Sequence, residues 1–232
     1  MLLLAAAVLP APALAGPARF ANELAAIAER DRAYPMPQGG VLFLGSSSIR
    51  LWNLGAGFPS AQAVNHGFGG ATVTDVLENY ELLVGGHRPD SIVVYVGEND
   101  LAQGRAAAAV AHDVGLLLAR LRTDFPTARI AYLSIKYAPV RWSRRNEIAR
   151  ANALIGAQAR AQGAPRFDFI DASQDLLVSG EQPDANCYGR DGLHLNESGY
   201  ARWNRIVRSY LARSDRAGRE GAGIAMAGAR KR

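Results

Sequence analysis

Only one of the 232 residues is a cysteine, Cys187, which excludes an intramolecular disulfide and any zinc cluster built on several thiolates. There is no His-Glu-x-x-His and no clustered Cys/His set, so neither a catalytic metal nor any other cofactor is expected. A Gly-x-Ser-x-Gly elbow is missing too, which argues against an α/β-hydrolase. Gly67-x-Gly69-Gly70 falls short of the dinucleotide fingerprint, because Thr72 stands where the third glycine belongs, and nucleotide binding is not expected.

Acidic residues are fewer than basic ones, for a net charge of +5. That surplus sits mostly at one end. From Arg213 to Arg232 six basic residues face two acidic ones, and the other 212 residues are nearly neutral. A basic, Gly/Ala-rich terminus without hydrophobic periodicity reads as a disordered extension over 213–232, and no nucleic-acid partner is implied. The remainder, 49% hydrophobic and 8% aromatic, has the composition of one large globular domain, assigned to residues 16–212.

At the other end a short apolar run from Met1 to Leu9 is followed by Ala13-Leu14-Ala15, a small-x-small pattern. It predicts a signal peptide cut after Ala15 and a periplasmic or secreted protein. The run is far shorter than the ~20 residues that span a bilayer, so no stable membrane anchor is expected.

Between the termini, helical and strand signals alternate. Phe20, Leu24 and Ile27 have helical spacing. Apolar runs at Val41–Leu44, Ala61–Val64, Ser91–Val96, Arg129–Ile135 and Phe167–Ile170 predict five strands. Helices are predicted over Thr72–Val84, Arg105–Phe125, Arg144–Gln162 and Glu197–Leu211. Such alternation predicts a mostly parallel sheet with helices on both faces.

In an open parallel sheet, ligands bind beyond the carboxyl ends of the strands. Polar and glycine-rich sequences fall there: Gly45-Ser46-Ser47-Ser48, Gly67-Phe68-Gly69-Gly70 and Gly97-Glu98-Asn99-Asp100, with Asp191-Gly192-Leu193-His194 ahead of the last helix. A serine hydroxyl needs a base within hydrogen-bond reach, and the base needs an orienting partner. His194 is the candidate base and Asp191, three residues earlier, its partner. Charge developing on a carbonyl oxygen needs fixed donors, which a glycine N–H and the Asn99 amide can supply. His66, His87 and His112 have no acid three residues before them and are expected to be surface or hydrogen-bonded structural histidines. Asn196 is expected to cap the final helix, and Cys187 to be a passive thiol.

In this order, the four blocks resemble those of the SGNH (GDSL-type) hydrolases, over residues 41 to about 211. The resemblance implies a three-layer α/β sandwich with a flavodoxin-like five-stranded parallel sheet. It implies the triad Ser47, Asp191 and His194, and an oxyanion hole formed by Ser47, Gly70 and Asn99. Ser46 stands where the family usually carries Asp, and His66 where it often carries Arg. The implied activity is cleavage of a carboxylic ester (short-acyl, carbohydrate-acetyl or lipid) through an acyl-enzyme on Ser47, with a small-molecule or glycan ester as substrate. The alternative is a catalytically silent carbohydrate- or surface-binding module of the same fold. Tyr137 and Trp142, after the fourth strand, are candidates for the substrate rim.

Overall fold

The computed structural model describes residues 17–35, 38–161 and 167–229. The expected leader, 1–15, lies outside them. In chain order the main elements are α1 (Ala21–Ala33), β1 (Val41–Gly45), α2 (Ser47–Arg50), α3 (Leu54–Gly57), β2 (Ala63–Gly67), α4 (Val73–Glu78), α5 (Tyr80–Val84), β3 (Ser91–Tyr95), α6 (Glu98–Ala102), α7 (Ala107–Asp124), β4 (Arg129–Leu133), α8 (Arg145–Arg160), β5 (Asp168–Ile170) and α9 (Glu197–Ala229). A small antiparallel hairpin, β6 (Leu177–Val178) with β7 (Gln182–Pro183), lies between β5 and α9.

The sheet has the order β2-β1-β3-β4-β5 with every pairing parallel, the flavodoxin-like arrangement expected. Both faces are covered because strand side chains alternate. Leu42, Leu44, Ile92 and Val94 point into one core with α1, α4, α5, α7 and α8. Val41, Phe43, Val93 and Tyr95 point into a second core with Trp52, Trp203 and Val207. Trp203 lies 4.9 Å from the Tyr95 ring and donates its indole N–H to Ala172 O at 3.2 Å. Trp52 donates to Asn204 Oδ1 at 2.8 Å, so these indoles pin α9 to the sheet without leaving a polar atom unpaired.

Three boundaries differ from the sequence reading. β2 starts two residues later and runs through Asn65 and His66, because its register against β1 carries Gly45 to Gly67 and its polar side chains find partners. Asn65 Nδ2, for example, donates to Ile49 O at 2.7 Å. The helix expected over Thr72–Val84 is two helices meeting at Asn79. Asn79 Nδ2 donates to Asp75 O at 2.8 Å, a side-chain bond that competes with the helical ladder. At the carboxyl end, the α9 backbone continues to Ala229, past the Leu211 at which the sequence reading ended the last helix.

Candidate active site

β1 ends on Gly45 at φ +148°, where a Cβ would come within 1.9 Å of Tyr95 O, so only glycine lets the chain turn here. Ser46 caps α2 and Ser47 opens it, which leaves the Ser47 N–H without an acceptor inside the helix. Ser46 and Ser48 are both buried. Ser47 is the serine of the three that remains partly exposed.

The histidine arrives from a tight turn before α9. Gly192 adopts φ +60° and Gly189 N donates to His194 O at 2.8 Å. Asp191 Oδ1 accepts from Leu193 N at 2.9 Å and from His194 N at 3.0 Å, while Oδ2 accepts from His194 Nδ1 at 2.6 Å. Since a carboxylate can only accept, Nδ1 carries the proton and Nε2 keeps its lone pair. Ser47 Oγ donates to that Nε2 at 2.9 Å. The Leu193 N–H, and then the His194 side chain, hold the Asp191 carboxyl at about 2, below the usual carboxylate range.

The two other blocks sit on neighbouring strand ends, for Gly45 is level with Gly67 on β2 and with Tyr95 on β3. Gly70 takes φ +73°, which favours glycine, and its carbonyl accepts from Arg19 Nη2 at 3.3 Å. Gly97, at φ +110°, starts α6. Asn99 Nδ2 donates one hydrogen to Ala71 O at 2.9 Å, which orients the amide and leaves its second N–H available. Asp100 is fully buried, accepting from Val73 N at 3.1 Å and from Arg105 Nη1 at 3.0 Å. It locks the third block to the second, and burial raises its pKa despite these donors. Ser47, Gly70, Asn99 and His194 are all partly exposed, whereas Ser46, Ser48, Glu98 and Asp100 beside them are buried.

Under the serine lies a polar cluster that sequence reasoning missed. Lys136, wholly buried, donates to Glu98 Oε2, and at 3.3 Å to both Ser48 Oγ and Tyr95 OH. Tyr95 OH donates to Glu98 Oε2 at 2.9 Å. Burial, and then the Glu98 charge, push the Tyr95 phenol well above its ordinary pKa, keeping it a donor. Lys136 follows β4 and Glu98 follows β3, so only the sheet order brings them together. Ser48 adjoins the candidate nucleophile and Glu98 adjoins the candidate oxyanion amide.

The family model of the GDSL-like lipases and acylhydrolases matches residues 50–202, about two thirds of the chain, starting just after the serine block. The chain belongs to the GDSL-like lipase/acylhydrolase family. It is thereby an ester-hydrolysing enzyme. No curated protein matches it. Among solved structures it is similar to a Streptococcus pneumonia protein named for platelet-activating factor (22% identity over 83% of this chain and 94% of that one, TM-score 0.72). It is also similar to a GDSL-like lipase from Bacteroides thetaiotaomicron (20%, 85% and 97%, 0.69), and to an acetylxylan esterase from Geobacillus stearothermophilus (15%, 73% and 93%, 0.57). At these identities the likeness establishes the fold.

In this member of the family the Tyr137–Trp142 segment abuts the histidine turn. Val140 N donates to Gly192 O at 3.1 Å and Tyr188 OH donates to Tyr137 O at 2.9 Å. The two rings pack edge to face with centroids 6.3 Å apart, and they line an open cleft of about 220 Å³ with Arg145, Gln174 and Leu177. Larger clefts, of about 440 and 530 Å³, lie around Arg129 and Asp90 at the amino ends of the strands, the opposite edge of the sheet from Ser47. Arg141 Nε, on the same segment as Trp142, is buried without a partner among the described residues. Cys187 is buried, and that burial raises its thiol pKa, consistent with a structural thiol. Asn196 Oδ1 accepts from Gly199 N at 3.1 Å, capping α9 as expected.

Proposed function

We propose that this enzyme cleaves carboxylic esters by acyl transfer to Ser47 and then to water. The observation that carries the reading is the continuous relay from Ser47 Oγ to His194 Nε2 (2.9 Å) and from His194 Nδ1 to Asp191 Oδ2 (2.6 Å). His194 takes the hydroxyl proton as Ser47 attacks the carbonyl carbon and returns it to the leaving alcohol. A water then repeats the sequence on the acyl-enzyme, with Asp191 holding the ring throughout. The N–H groups of Ser47 and Gly70 and the second N–H of Asn99 stabilise the oxyanion.

The segment that carries Tyr137 and Trp142 abuts the histidine turn through the Val140 N–H and Gly192 O, which supports it as the rim that a short-acyl or carbohydrate-acetyl ester meets. Trp142 supplies an apolar wall. The enzyme acts after export, with the leader removed behind Ala15; the amino-terminal sequence of the mature protein tests this.

Labelling with a fluorophosphonate tests the mechanism. The native chain and the Ser46→Ala and Ser48→Ala variants are expected to take the label, and Ser47→Ala is not. Label persisting on Ser47→Ala refutes the assignment. A folded native chain that takes no label and cleaves no ester, while binding glycans, would instead support the silent binding module.

A further inference from the structure

On the outer edge of the sheet, three side chains from distant elements meet. Asp31 comes from the last turn of α1, His66 from β2, and His87 from the connection between α5 and β3. His66 is wholly buried and His87 is 4% exposed. His66 Nε2 lies 3.1 Å from Asp31 Oδ1 and His87 Nε2 lies 3.3 Å from Asp31 Oδ2. One donor atom from each residue falls within 4.8 Å of the others. On the far side of its ring, His66 Nδ1 donates to Leu83 O at 2.5 Å.

We propose that Asp31, His66 and His87 bind one divalent transition metal ion, zinc by the chemistry of the donors, at a site separate from the ester-cleaving centre. Zinc takes imidazole nitrogen and carboxylate oxygen at about 2.0–2.2 Å, and tetrahedral angles then put neighbouring donor atoms about 3.3 Å apart. Each Nε2 lies at about that span from one carboxylate oxygen, His66 from Oδ1 and His87 from Oδ2, and small side-chain shifts bring one oxygen and both nitrogens onto a common ion. The His66 Nδ1–H bond to a backbone carbonyl is the outer-partner arrangement that fixes metal-bound imidazoles with Nε2 facing the ion.

Access is from the Asp31 side, where the side chain is 20% exposed, and a water completes the fourth position. Two guanidiniums lie close: Arg30 donates to Asn65 O and Arg88 Nη1 to His87 O at 2.7 Å. Their charge opposes a dication, so the affinity is expected near the micromolar range, weaker than that of a four-ligand structural site.

The site's position gives the ion a structural task. The ion fastens α1 to edge strand β2 next to the Gly67–Gly70 loop, which α1 also touches through Glu23 Oε2, accepting from Gly69 N at 2.8 Å. Metal is therefore expected to protect α1 from fraying. At a hundredfold excess over the dissociation constant it is expected to raise Tm by roughly 5–10 °C.

The test is a titration of the untagged, chelator-treated full chain with zinc chloride, followed by calorimetry, and with cobalt(II), followed by its visible absorption. One equivalent per chain is expected, with the intense visible bands of four-coordinate cobalt. Asp31→Asn and His87→Gln keep the shape of the cluster and are expected to weaken zinc at least by the ~10–100-fold that loss of a mere outer partner costs. His194→Ala, which removes the exposed imidazole–carboxylate pair formed with Asp191, is expected to retain the full equivalent. Three results overturn the proposal: no saturable binding up to about 100 µM zinc, binding unchanged in both cluster variants, or binding lost in His194→Ala. Because the cobalt spectrum is read on the native chain, the outcome holds even where a cluster variant fails to fold.

Discussion

Ser47 Oγ and His194 Nε2 are 2.9 Å apart, although 147 residues separate them in the chain. The contact depends on two local devices: the Gly45 turn that exposes Ser47 while Ser46 and Ser48 stay buried, and the Asp191 turn that fixes the imidazole tautomer. Loss of either device has a distinct signature.

Asp191→Asn keeps the size of the side chain but replaces an acceptor by a group that can also donate, so Nδ1 is no longer held as the protonated nitrogen. Turnover is expected to fall by roughly 10³–10⁴-fold with little change in KM, as in other serine hydrolases whose orienting acid is amidated. Steady-state kinetics on p-nitrophenyl acetate would show it. A loss smaller than tenfold would remove Asp191 from the relay.

Asn99→Ala deletes the proposed oxyanion donor and one bond to Ala71 O. The expected cost is ~10²–10³-fold in kcat, about 2.7–4 kcal/mol, with a circular-dichroism spectrum like the native one. An undiminished rate would mean that the amide only closes the α6 turn.

The pH dependence follows from Asp191. Its folded pKa, about 2, lies below the ordinary carboxyl value of 3.8, so the stabilisation it brings is present above the unfolded pKa and is lost as pH falls through the folded one. The Asp191 carboxyl is therefore expected to add no protonation step to kcat/KM above pH ~4. Two coupled acid steps in that range would contradict this assignment.

Lys136→Met leaves Glu98 buried without its cation. The expected destabilisation is about 3–5 kcal/mol in urea unfolding, and the double variant Lys136→Met with Glu98→Leu is expected to recover most of it, because paired removal of buried charges is close to neutral. If the single variant were as stable as the native chain, the buried pair would be contributing nothing to the fold.

Much of this protein was legible before any tertiary structure. β-branched runs at Ile92–Val94 and alternating helical stretches dictate a parallel sheet, since both periodicities are properties of neighbouring residues. The Gly67–Gly70 and Gly97–Asp100 blocks fall after strands for the same local reason, and Asp191 with His194 could be paired because three residues make one turn. What lay beyond the sequence were encounters set by strand order. Nothing local says that Lys136, beyond β4, meets Glu98, beyond β3, or that Asp31, His66 and His87 share one carboxylate. The resemblance singled out Ser47 among three adjacent serines, but that it is the partly exposed one while Ser46 and Ser48 are buried is decided by the Gly45 backbone. Local propensity acts over a few residues, whereas burial and charge pairing act between segments that only the packed sheet brings within a few ångströms.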